Sequence, residues 1–198
     1  MQSDPLLSIR KSIRKQIRQL RQNLSPEQQS QFAQQVAQNA MSHPKIQQAN
    51  KIALYLAFDG ELDTRPLIQQ FWQQNKQVYL PVLHPFSQHH LLFLHYHPET
   101  SLNCNRFNIE EPPLDVRQVL PVSELDVMFI PLVAFDSTGQ RLGMGGGFYD
   151  RTLAKWQQQN FYPIGLAHDF QLVNSLPSAS WDIPLPEIIT PEKIWRWG

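Results

Sequence analysis

Segments in which apolar residues recur with helical spacing alternate along this chain with short apolar runs. In the first segment the apolar residues are separated by four, four, three and four positions, at Ile9, Ile13, Ile17, Leu20 and Leu24. This spacing predicts an amphipathic helix over residues 5–23. Ser25, Pro26 and Gln28 then provide an N-cap, a proline in the first turn and a capping-box glutamine, which predicts a second helix up to Met41.

Six short apolar runs predict strands, at residues 51–58, 78–83, 91–96, 127–132, 164–167 and 187–190. Two further helices are predicted over residues 64–74 and 147–159. Asp136 and Gly139 stand at the ends of a predicted four-residue turn. Strands that alternate with helices in this way indicate an α/β sheet covered on both faces, with ligands outside the carboxyl ends of the strands.

The composition narrows the class of protein. A length of 198 residues with 41% hydrophobic residues suits one domain over residues 1–198 with a sizeable core. The formal net charge of zero argues against a general nucleic-acid-binding or membrane-surface protein. The single cysteine, Cys104, excludes an internal disulfide framework and suits a reducing compartment. With no membrane-spanning stretch and no secretory signal evident, we expect a cytoplasmic protein that binds neither membranes nor nucleic acid.

The segment richest in chemistry is RLGMGGGFYDR at residues 141–151, which holds four of the eight glycines. It follows the apolar run at residues 127–135 directly. Glycines between a strand and a helix let backbone N–H groups approach an anion without obstruction by a Cβ atom. Arg141, Asp150 and Arg151 add cationic donors and one hard oxygen ligand, as a nucleoside triphosphate with its metal requires. These features predict a phosphate site.

Two common phosphate-binding loops do not fit this segment. No Gly-Lys-Ser/Thr follows the glycines, which excludes a Walker A loop. Gly143 and Gly145 match a dinucleotide-binding fingerprint, but Phe148 stands at the third glycine position. A tight strand-to-helix turn without a ligand remains the alternative, because glycine clusters alone are weak signals.

Residues 125–151, LDVMFIPLVAFDSTGQRLGMGGGFYDR, closely resemble the signature of the 5-formyltetrahydrofolate cyclo-ligase (5,10-methenyltetrahydrofolate synthetase) family. That signature is a strand, a proline, an Ala-Phe-Asp turn and then Arg-Leu-Gly-x-Gly-x-Gly-aromatic-Tyr-Asp. The basic N-terminal helix, the region around Glu61 and the run PIGLAHDFQLVNSLP follow in family order, so the resemblance covers nearly the whole chain. It implies a three-layer α/β/α sandwich with a central, mostly parallel sheet.

The resemblance also implies the reaction, which is ATP-driven closure of 5-formyltetrahydrofolate to 5,10-methenyltetrahydrofolate with release of ADP and phosphate. The formyl oxygen would attack the γ-phosphate, N10 would add to the activated carbon, and phosphate would leave. The part of the protein is then positioning and charge stabilisation rather than covalent chemistry. Arg141, Tyr149 and Asp150 are the expected catalytic residues, and a monomer or weak homodimer is expected.

The first helix carries four arginines at steps of four, four and three, at Arg10, Arg14, Arg18 and Arg21. They share one face, where like charges repel unless an anion compensates them. A solvated basic face and a mitochondrial transit segment are the alternatives. The resemblance matches Arg10 and Arg14 to a pair that contacts ATP phosphates, and it leaves Arg18 and Arg21 as surface charges. The expected ATP contacts are Arg10, Lys11, Ser12, Ile13, Arg14, Arg141, Leu142, Gly143, Met144, Gly145, Gly146, Gly147, Phe148 and Tyr149.

Glu61 follows the predicted strand at residues 51–58 through a short Asp-Gly turn. A carboxylate there can accept two hydrogen bonds from the edge of a pterin ring, although the residue by itself is typical of an exposed loop. The resemblance places a folate-binding glutamate at this position. The expected folate contacts are Leu56, Glu61, Phe107, Met144 and Phe148. Phe107 has a core phenylalanine as its alternative.

A magnesium ion is expected on Asp150 and Asp182, the latter on the resemblance alone. Mg²⁺ usually takes one or two carboxylates together with substrate phosphates and waters. Asp150 also suits the first turn of a helix as a simple favourable charge, which is compatible with metal binding.

Three positions depart from the family pattern. Met144 and Gly146 stand where some members carry an arginine and a lysine, and Phe148 replaces the first of two usual tyrosines. A phenylalanine keeps the packing of that tyrosine without its hydrogen bond. The histidines at positions 89, 95 and 97 are expected at the surface or at the boundary of the core.

Two other classes of function stay open. One is a phosphate-binding α/β enzyme that needs no ATP, such as a sugar-phosphate isomerase. The other is a non-catalytic module whose basic helix binds RNA or an acidic partner, which would make the binding sensitive to salt.

Overall fold

Five helices and thirteen strands lie in the part of the chain that the computed structural model describes, residues 5–197. The helices are α1 (Pro5–Gln22), α2 (Pro26–Met41), α3 (Pro44–Gln48), α4 (Arg65–Gln73) and α5 (Phe148–Leu153). The strands are β1 (Lys51–Ala53), β2 (Gln77–Leu83), β3 (Leu91–Tyr96), β4 (Asn103–Cys104), β5 (Glu110–Glu111), β6 (Val119–Leu120), β7 (Val127–Pro131), β8 (Ala134–Asp136), β9 (Arg141–Leu142), β10 (Tyr162–Leu166), β11 (Leu172–Val173), β12 (Glu187–Ile189) and β13 (Ile194–Arg196). Within this range, no helix has both the length and the apolar character needed to cross a membrane.

The main sheet has the strand order β13-β12-β10-β7-β1-β2-β3-β6. The five strands from β12 to β2 run parallel to one another. At the edges, β13 on one side and β3 and β6 on the other run antiparallel to their neighbours. The predicted α/β class with a central, mostly parallel sheet is therefore confirmed.

Both faces of β7 are buried, which explains why this strand is an uninterrupted apolar run. Val127 and Phe129 pack into an apolar cluster with residues of α2 and α4. Met128 and Ile130 pack into a second cluster with Leu153 of α5. Since the side chains of a strand alternate between the two faces, a strand covered on both has no position for a polar residue. Helices thus flank the sheet on both faces, with α5 contributing only six residues.

The strand predicted over residues 51–58 is shorter in the structure, where it pairs over β1 and adds one bond from the Leu54 N–H to the Tyr79 carbonyl oxygen at 3.0 Å. Beyond Leu54, side chains of the following segment bind two of the backbone groups. The Thr64 hydroxyl donates to the Tyr55 carbonyl oxygen, and the Phe58 N–H donates to Glu61 Oε2 at 3.2 Å. The chain therefore leaves the sheet early, and the loop carries Glu61 beyond the carboxyl end of β1.

The glycine loop does not follow a strand of the main sheet directly, contrary to the expectation from the apolar run at residues 127–135. After β7 the chain enters a small sheet of order β11-β8-β9. In the turn between β8 and β9, the Gly139 N–H donates to the Asp136 carbonyl oxygen at 3.1 Å. The loop then leaves β9. Leu132 and Val133, between the two sheets, are as buried as the strands, so hydrophobicity alone does not reveal the break.

The helix predicted over residues 147–159 is also shorter. Helix α5 ends at Leu153, Lys155 adopts φ −130° and ψ 27°, and a separate 3-10 turn follows at Trp156–Gln158. Leu153 and Trp156 nevertheless pack against the same apolar cluster. The apolar spacing is therefore continuous although the helix is not.

Helix α1 packs against the protein with its arginine face. Its buried residues are Arg10, Ile17 and Arg21, whereas Ile9 and Leu20 are 52% and 41% exposed. Apolar periodicity predicts the helix correctly, and Ile13 and Ile17 of its apolar stripe do pack against the protein, but it does not predict the burial of Arg10 and Arg21. The reason is that the acceptors for these arginines lie far away in the sequence, which no local pattern can reveal.

Candidate active site

The glycine loop joins β9 to α5, and its backbone requires glycine at two positions. Gly145 and Gly147 have φ values of 104° and 69°, in the left-handed region that glycine adopts without strain. Gly147 is also the N-cap residue of α5. A Cβ atom on Gly147 would lie 2.5 Å from Arg151 Nη1, so the arginine would have to move, in addition to the strain of the positive φ.

Two side chains from remote parts of the chain bind carbonyl groups of this loop. Arg14 in α1 donates from Nε to the Gly143 carbonyl oxygen at 2.8 Å. His89, in the connection between β2 and β3, has its Nδ1 atom 2.7 Å from the Gly146 carbonyl oxygen. The loop is therefore held at two points of its glycine run.

Two arginine–aspartate pairs accompany the loop. Arg10 Nη1 and Nη2 bond to Asp182 Oδ2 and Oδ1 at 2.6 and 2.7 Å. Arg141 Nη2 bonds to Asp150 Oδ1 at 2.5 Å. Apart from Asp150 these side chains are nearly inaccessible to solvent. Desolvation of the charges offsets much of the attraction within a buried ion pair, so such a pair is weak evidence of stabilisation. Two of them beside one loop therefore mark a candidate functional cluster.

The charges of this cluster act on one another. Burial lowers the pKa of Arg141, and the negative charges of Asp150 and Asp182 oppose that change. Burial and the charge of Arg10 lower the pKa of Arg14. Burial disfavours ionisation of Asp182, but the hydrogen bonds from Arg10 and a backbone N–H outweigh it and lower the pKa of that carboxyl. The three arginines thus form one electropositive group with two aspartates as counter-ions.

Glu61, in the loop after β1, is partly exposed as a residue, but protein atoms enclose most of its carboxylate; we call its surroundings the Glu61 cleft. This burial raises the pKa of Glu61 to about 7, while the charge of Arg21 acts in the opposite direction. Burial also raises the pKa of Tyr149, and the charge of Glu61 adds to the rise while that of Arg141 opposes it. Tyr149 therefore connects the glycine loop electrostatically with the Glu61 cleft.

Arg18 and Arg21 also face the protein. Arg21 is 1% exposed, and its Nη2 donates to the carbonyl oxygen of Leu132. Arg18 is paired with Asp59 and keeps 43% of its side chain exposed. The expectation of a surface charge is therefore wrong for Arg21 and holds in part for Arg18. The alternative of a solvated basic face is wrong as well, because Arg10 and Arg21 are buried.

Two of the expected folate residues meet beside the glycine loop. The ring of Phe148 contacts those of Phe107 and His89, with centroid distances of 6.2 and 5.6 Å. Phe107 is 46% exposed, so its alternative as a core residue is wrong. Met144 is exposed on the loop, whereas Leu56 is buried in the apolar cluster of α2 and α4. The folate contacts of Leu56 and Met144 stay predictions.

The remaining expected ATP residues differ in their surroundings. Lys11 and Ser12 are exposed on α1, between Arg10 and Arg14. Ile13 and Leu142 belong to an apolar cluster, and Leu142 is fully buried, so its side chain is not available to a ligand. Their contacts with ATP stay predictions.

The two aspartates offer oxygen atoms of the kind that Mg²⁺ binds. Among residues 5–197 no group of three or more His, Cys, Asp or Glu side chains is placed to hold a metal ion. Asp182 accepts three hydrogen bonds on its two carboxylate oxygens, two from Arg10 and one from the Ala179 N–H at 2.7 Å. Two carboxylates suffice for Mg²⁺ only where phosphates and waters complete its shell. The donor set therefore fits a metal that arrives with a nucleotide.

Sequence reasoning missed His89 and Arg21 as members of this region. The spacing of the arginines in α1 already placed Arg21 on the same face as Arg10, and that signal was sufficient to find it. His89 lies in a histidine-rich connection without a recognisable motif. Its partner is a backbone carbonyl group 57 residues away, so no side-chain pattern points to it.

Known proteins similar to this chain share one activity. Residues 7–191 match the model of the 5-formyltetrahydrofolate cyclo-ligase family. The 5-formyltetrahydrofolate cyclo-ligase of Escherichia coli K12 is 60% identical, with 91% of this chain and 100% of the relative covered. The one from Haemophilus influenzae is 56% identical, with 91% and 96% covered. The NMR structure of Aquifex aeolicus 5,10-methenyltetrahydrofolate synthetase matches with a TM-score of 0.80 at 30% identity, covering 95% of this chain and 92% of that one.

Proposed function

Because the chain belongs to the 5-formyltetrahydrofolate cyclo-ligase family, we propose that the arginine cluster, the glycine loop and the Glu61 cleft form its active site. The enzyme is an ATP-dependent cyclo-ligase that converts 5-formyltetrahydrofolate to 5,10-methenyltetrahydrofolate. ADP and phosphate are the other products. What remains to be assigned is the role of each residue.

One observation carries the proposed placement of ATP. Arg10, Arg14 and Arg141 come from two distant segments and converge beside a loop in which four of the five residues 143–147 are glycines. Guanidinium groups and backbone N–H groups are the donors that phosphates prefer. The triphosphate therefore lies between α1 and the glycine loop, bound by these three arginines and by loop N–H groups.

The folate is placed next to the nucleotide by Glu61 and Phe148. The Glu61 carboxylate accepts hydrogen bonds from the amino-pyrimidinone edge of the pterin. The aromatic pair of Phe107 and Phe148 offers a flat apolar surface for the rings of the ligand. We place Tyr149 near the point where the formyl oxygen of the folate would meet the γ-phosphate, because its pKa responds to the charges of both Glu61 and Arg141.

The transfer of the phosphoryl group requires stabilisation of negative charge. Attack of the formyl oxygen on the γ-phosphorus breaks the bond to ADP and spreads negative charge over the transferring phosphoryl group. Arg10 and Arg141 are held beside the glycine loop by their aspartates, so they are close enough to stabilise that charge once the nucleotide has bound. Phosphorylation turns the formyl oxygen into a leaving group, and N10 then closes the ring as phosphate departs with loss of the N10 proton.

We also assign a magnesium ion to Asp150 and Asp182, the carboxylates beside the arginine cluster. When bound with ATP, the ion would neutralise part of the phosphate charge. Asp150 is the more accessible of the two, with 24% of its side chain exposed. For Asp182 to ligate the ion, it would have to release Arg10. We further propose that the enzyme works in the cytoplasm as a monomer or weak homodimer, which the free Cys104 suits.

The test is a spectrophotometric assay with purified protein, 5-formyltetrahydrofolate, ATP and Mg²⁺, which follows the near-ultraviolet absorbance of the methenyl product. We expect a rise that requires both ATP and Mg²⁺ and is abolished in Asp150→Asn. Asp115→Asn is the matched control, because Asp115 also pairs with an arginine but outside the cluster. A rise that does not need ATP, or one that survives in Asp150→Asn, would contradict the assignment.

A further inference from the structure

The contact between His89 and Gly146 fixes the position of one proton. The Nδ1 atom of His89 lies 2.7 Å from the Gly146 carbonyl oxygen. A carbonyl oxygen can only accept a hydrogen bond, so the proton must lie on Nδ1. The imidazole therefore donates to the glycine loop from the β2–β3 connection. None of the site residues expected from the sequence lies in this connection.

This hydrogen bond selects one orientation of a peptide group. Residues 5–197 contain no cis peptide bond, so the Gly146 carbonyl and the Gly147 N–H point in opposite directions. The peptide lies between two glycines, which leaves rotation on both sides sterically easy. By binding the carbonyl oxygen, His89 turns the Gly147 N–H away from the β2–β3 connection and keeps it there.

The backbone of His89 is itself unusual. Its φ of 63° lies in the left-handed region, which costs energy for residues other than glycine and is tolerated best by Asn, Asp and His. The same side chain also contacts the Phe148 ring, at 5.6 Å between centroids. A strained residue that contacts the glycine loop points to a functional constraint.

We propose that His89 is a positioning residue, which sets the direction of the Gly147 N–H so that the glycine loop is prepared for the phosphates of ATP. The inference rests on the proposed function of that loop. His89 acts through the peptide group and touches neither reacting atom. Its loss should therefore weaken nucleotide binding more than folate binding, which loses only the contact of the His89 ring with Phe148.

The experiment compares His89→Gly and His89→Asn with the wild-type enzyme. Glycine removes the side chain without straining the left-handed backbone. Asparagine tolerates that backbone and carries an N–H donor at the same distance along the side chain, but it has no ring. Calorimetry measures the dissociation constants of Mg²⁺-ATP and of 5-formyltetrahydrofolate, and ¹⁵N NMR follows the Gly147 amide in the ligand-free protein. His90→Ala is the control, because His90 bonds only within its own connection, to Ser87 and Gln88.

We expect His89→Gly to raise the dissociation constant of ATP roughly fivefold, which is the effect of one hydrogen bond, and to shift the Gly147 amide resonance. His89→Asn should return ATP binding to within about twofold of the wild type, since one neutral hydrogen bond is restored. Unchanged ATP binding in His89→Gly would overturn this inference alone. An asparagine variant as weak as the glycine variant would do so too, because the effect would then belong to the ring packed on Phe148. If the wild-type protein bound no ATP, the proposed function of the loop would fail together with the inference.

Discussion

Arg10 and Asp182 stand 172 positions apart in the sequence, and their side chains form a bidentate ion pair with N–O distances of 2.6 and 2.7 Å. Arg141 and Asp150 form a second pair in the same cluster. In both pairs a residue proposed to bind phosphate is bonded to a residue proposed to bind the metal. The complex of ATP with Mg²⁺ carries negative phosphates and a positive metal ion. When it binds, the arginines exchange their aspartates for phosphates and the aspartates exchange their arginines for Mg²⁺, so few buried charges are left uncompensated.

Replacement of Asp182 by asparagine keeps the shape of the side chain and removes its charge. Arg10, which is buried, then loses its counter-ion, and removal of one partner of a buried pair is strongly destabilising. We expect the free energy of unfolding to fall by about 2–3 kcal/mol, since the amide oxygen still accepts one hydrogen bond. Urea denaturation measures the change. The control is Asp115→Asn, which breaks the solvent-exposed pair with Arg117 and should have a much smaller effect. Equal effects would contradict the importance of the Arg10–Asp182 pair.

Replacement of Arg141 by alanine should separate the two ligands. Arg141 contributes charge-assisted hydrogen bonds to the proposed phosphate site but does not contact the Glu61 cleft. We expect the dissociation constant of ATP to rise by about 10- to 100-fold, while folate binding stays largely intact. Calorimetry with each ligand separately measures both effects, and Arg117→Ala serves as the surface control. Equal loss of both ligands would show that the assignment of the glycine loop to ATP is wrong.

Replacement of Glu61 by glutamine should change how stability depends on pH. The pKa of Glu61 is raised by burial from 4.5 to about 7, so between these values the folded protein binds more protons than the unfolded chain. The contribution of Glu61 to stability is therefore full below pH 4.5 and is lost as the pH rises to 7, by up to about 3 kcal/mol. Glu61→Gln should remove that loss. Denaturation of both proteins between pH 4.5 and 8 measures the difference.

The difference between the two proteins isolates Glu61 from other groups that titrate in this range. Burial lowers the pKa of His168 to about 4, for example, and that effect is common to both. Glu192→Gln, at an exposed position, is the matched control and should follow the wild type. Parallel curves for Glu61→Gln and the wild type would mean that the carboxylate is not buried in solution. The ionised form is also the better acceptor for the pterin edge, so folate affinity should rise with pH up to about 7.

The sheet and most of its helices could be predicted because their apolar periodicity is local. Residues 91–96 form β3 at the predicted bounds, and the capping box predicted at Ser25 and Gln28 is present at the start of α2. The errors arise where an element ends while burial continues. Tyr55 and Leu56 stay buried although the last bond to β2 is that of the Leu54 N–H, and a hydrophobic pattern cannot distinguish a paired residue from a buried one.

The site could be predicted from the sequence only where residues are near each other or where the family resemblance names them. Arg141 and Asp150 are nine positions apart, and both were expected. Arg10 was expected to bind ATP and Asp182 to bind Mg²⁺, but that the two would form an ion pair with each other was not expected. Arg21 and His89 bind backbone carbonyl groups. Every residue has such a group, so the sequence does not reveal these partners, although the spacing in α1 places Arg21 on the same face as Arg10.

The departures at Gly146 and Phe148 are linked, and a mutant cycle can measure the link. A Cβ atom on Gly146 would lie 2.8 Å from two atoms of the Phe148 ring, whereas one on Gly143 would meet only Arg141 Nη1, at 3.7 Å. Neither glycine has the positive φ that would exclude alanine. We expect Gly146→Ala to lower the free energy of unfolding by about 1–2 kcal/mol, because the ring is held between Phe107 and His89 and cannot yield freely. Gly143→Ala should be neutral or slightly stabilising, since it restricts the unfolded chain.

In a Phe148→Ala background the ring is gone, so Gly146→Ala should lower the free energy of unfolding by almost nothing more. An undiminished cost in that background would mean that the strain lies in the backbone of the glycine loop and that the two departures are independent.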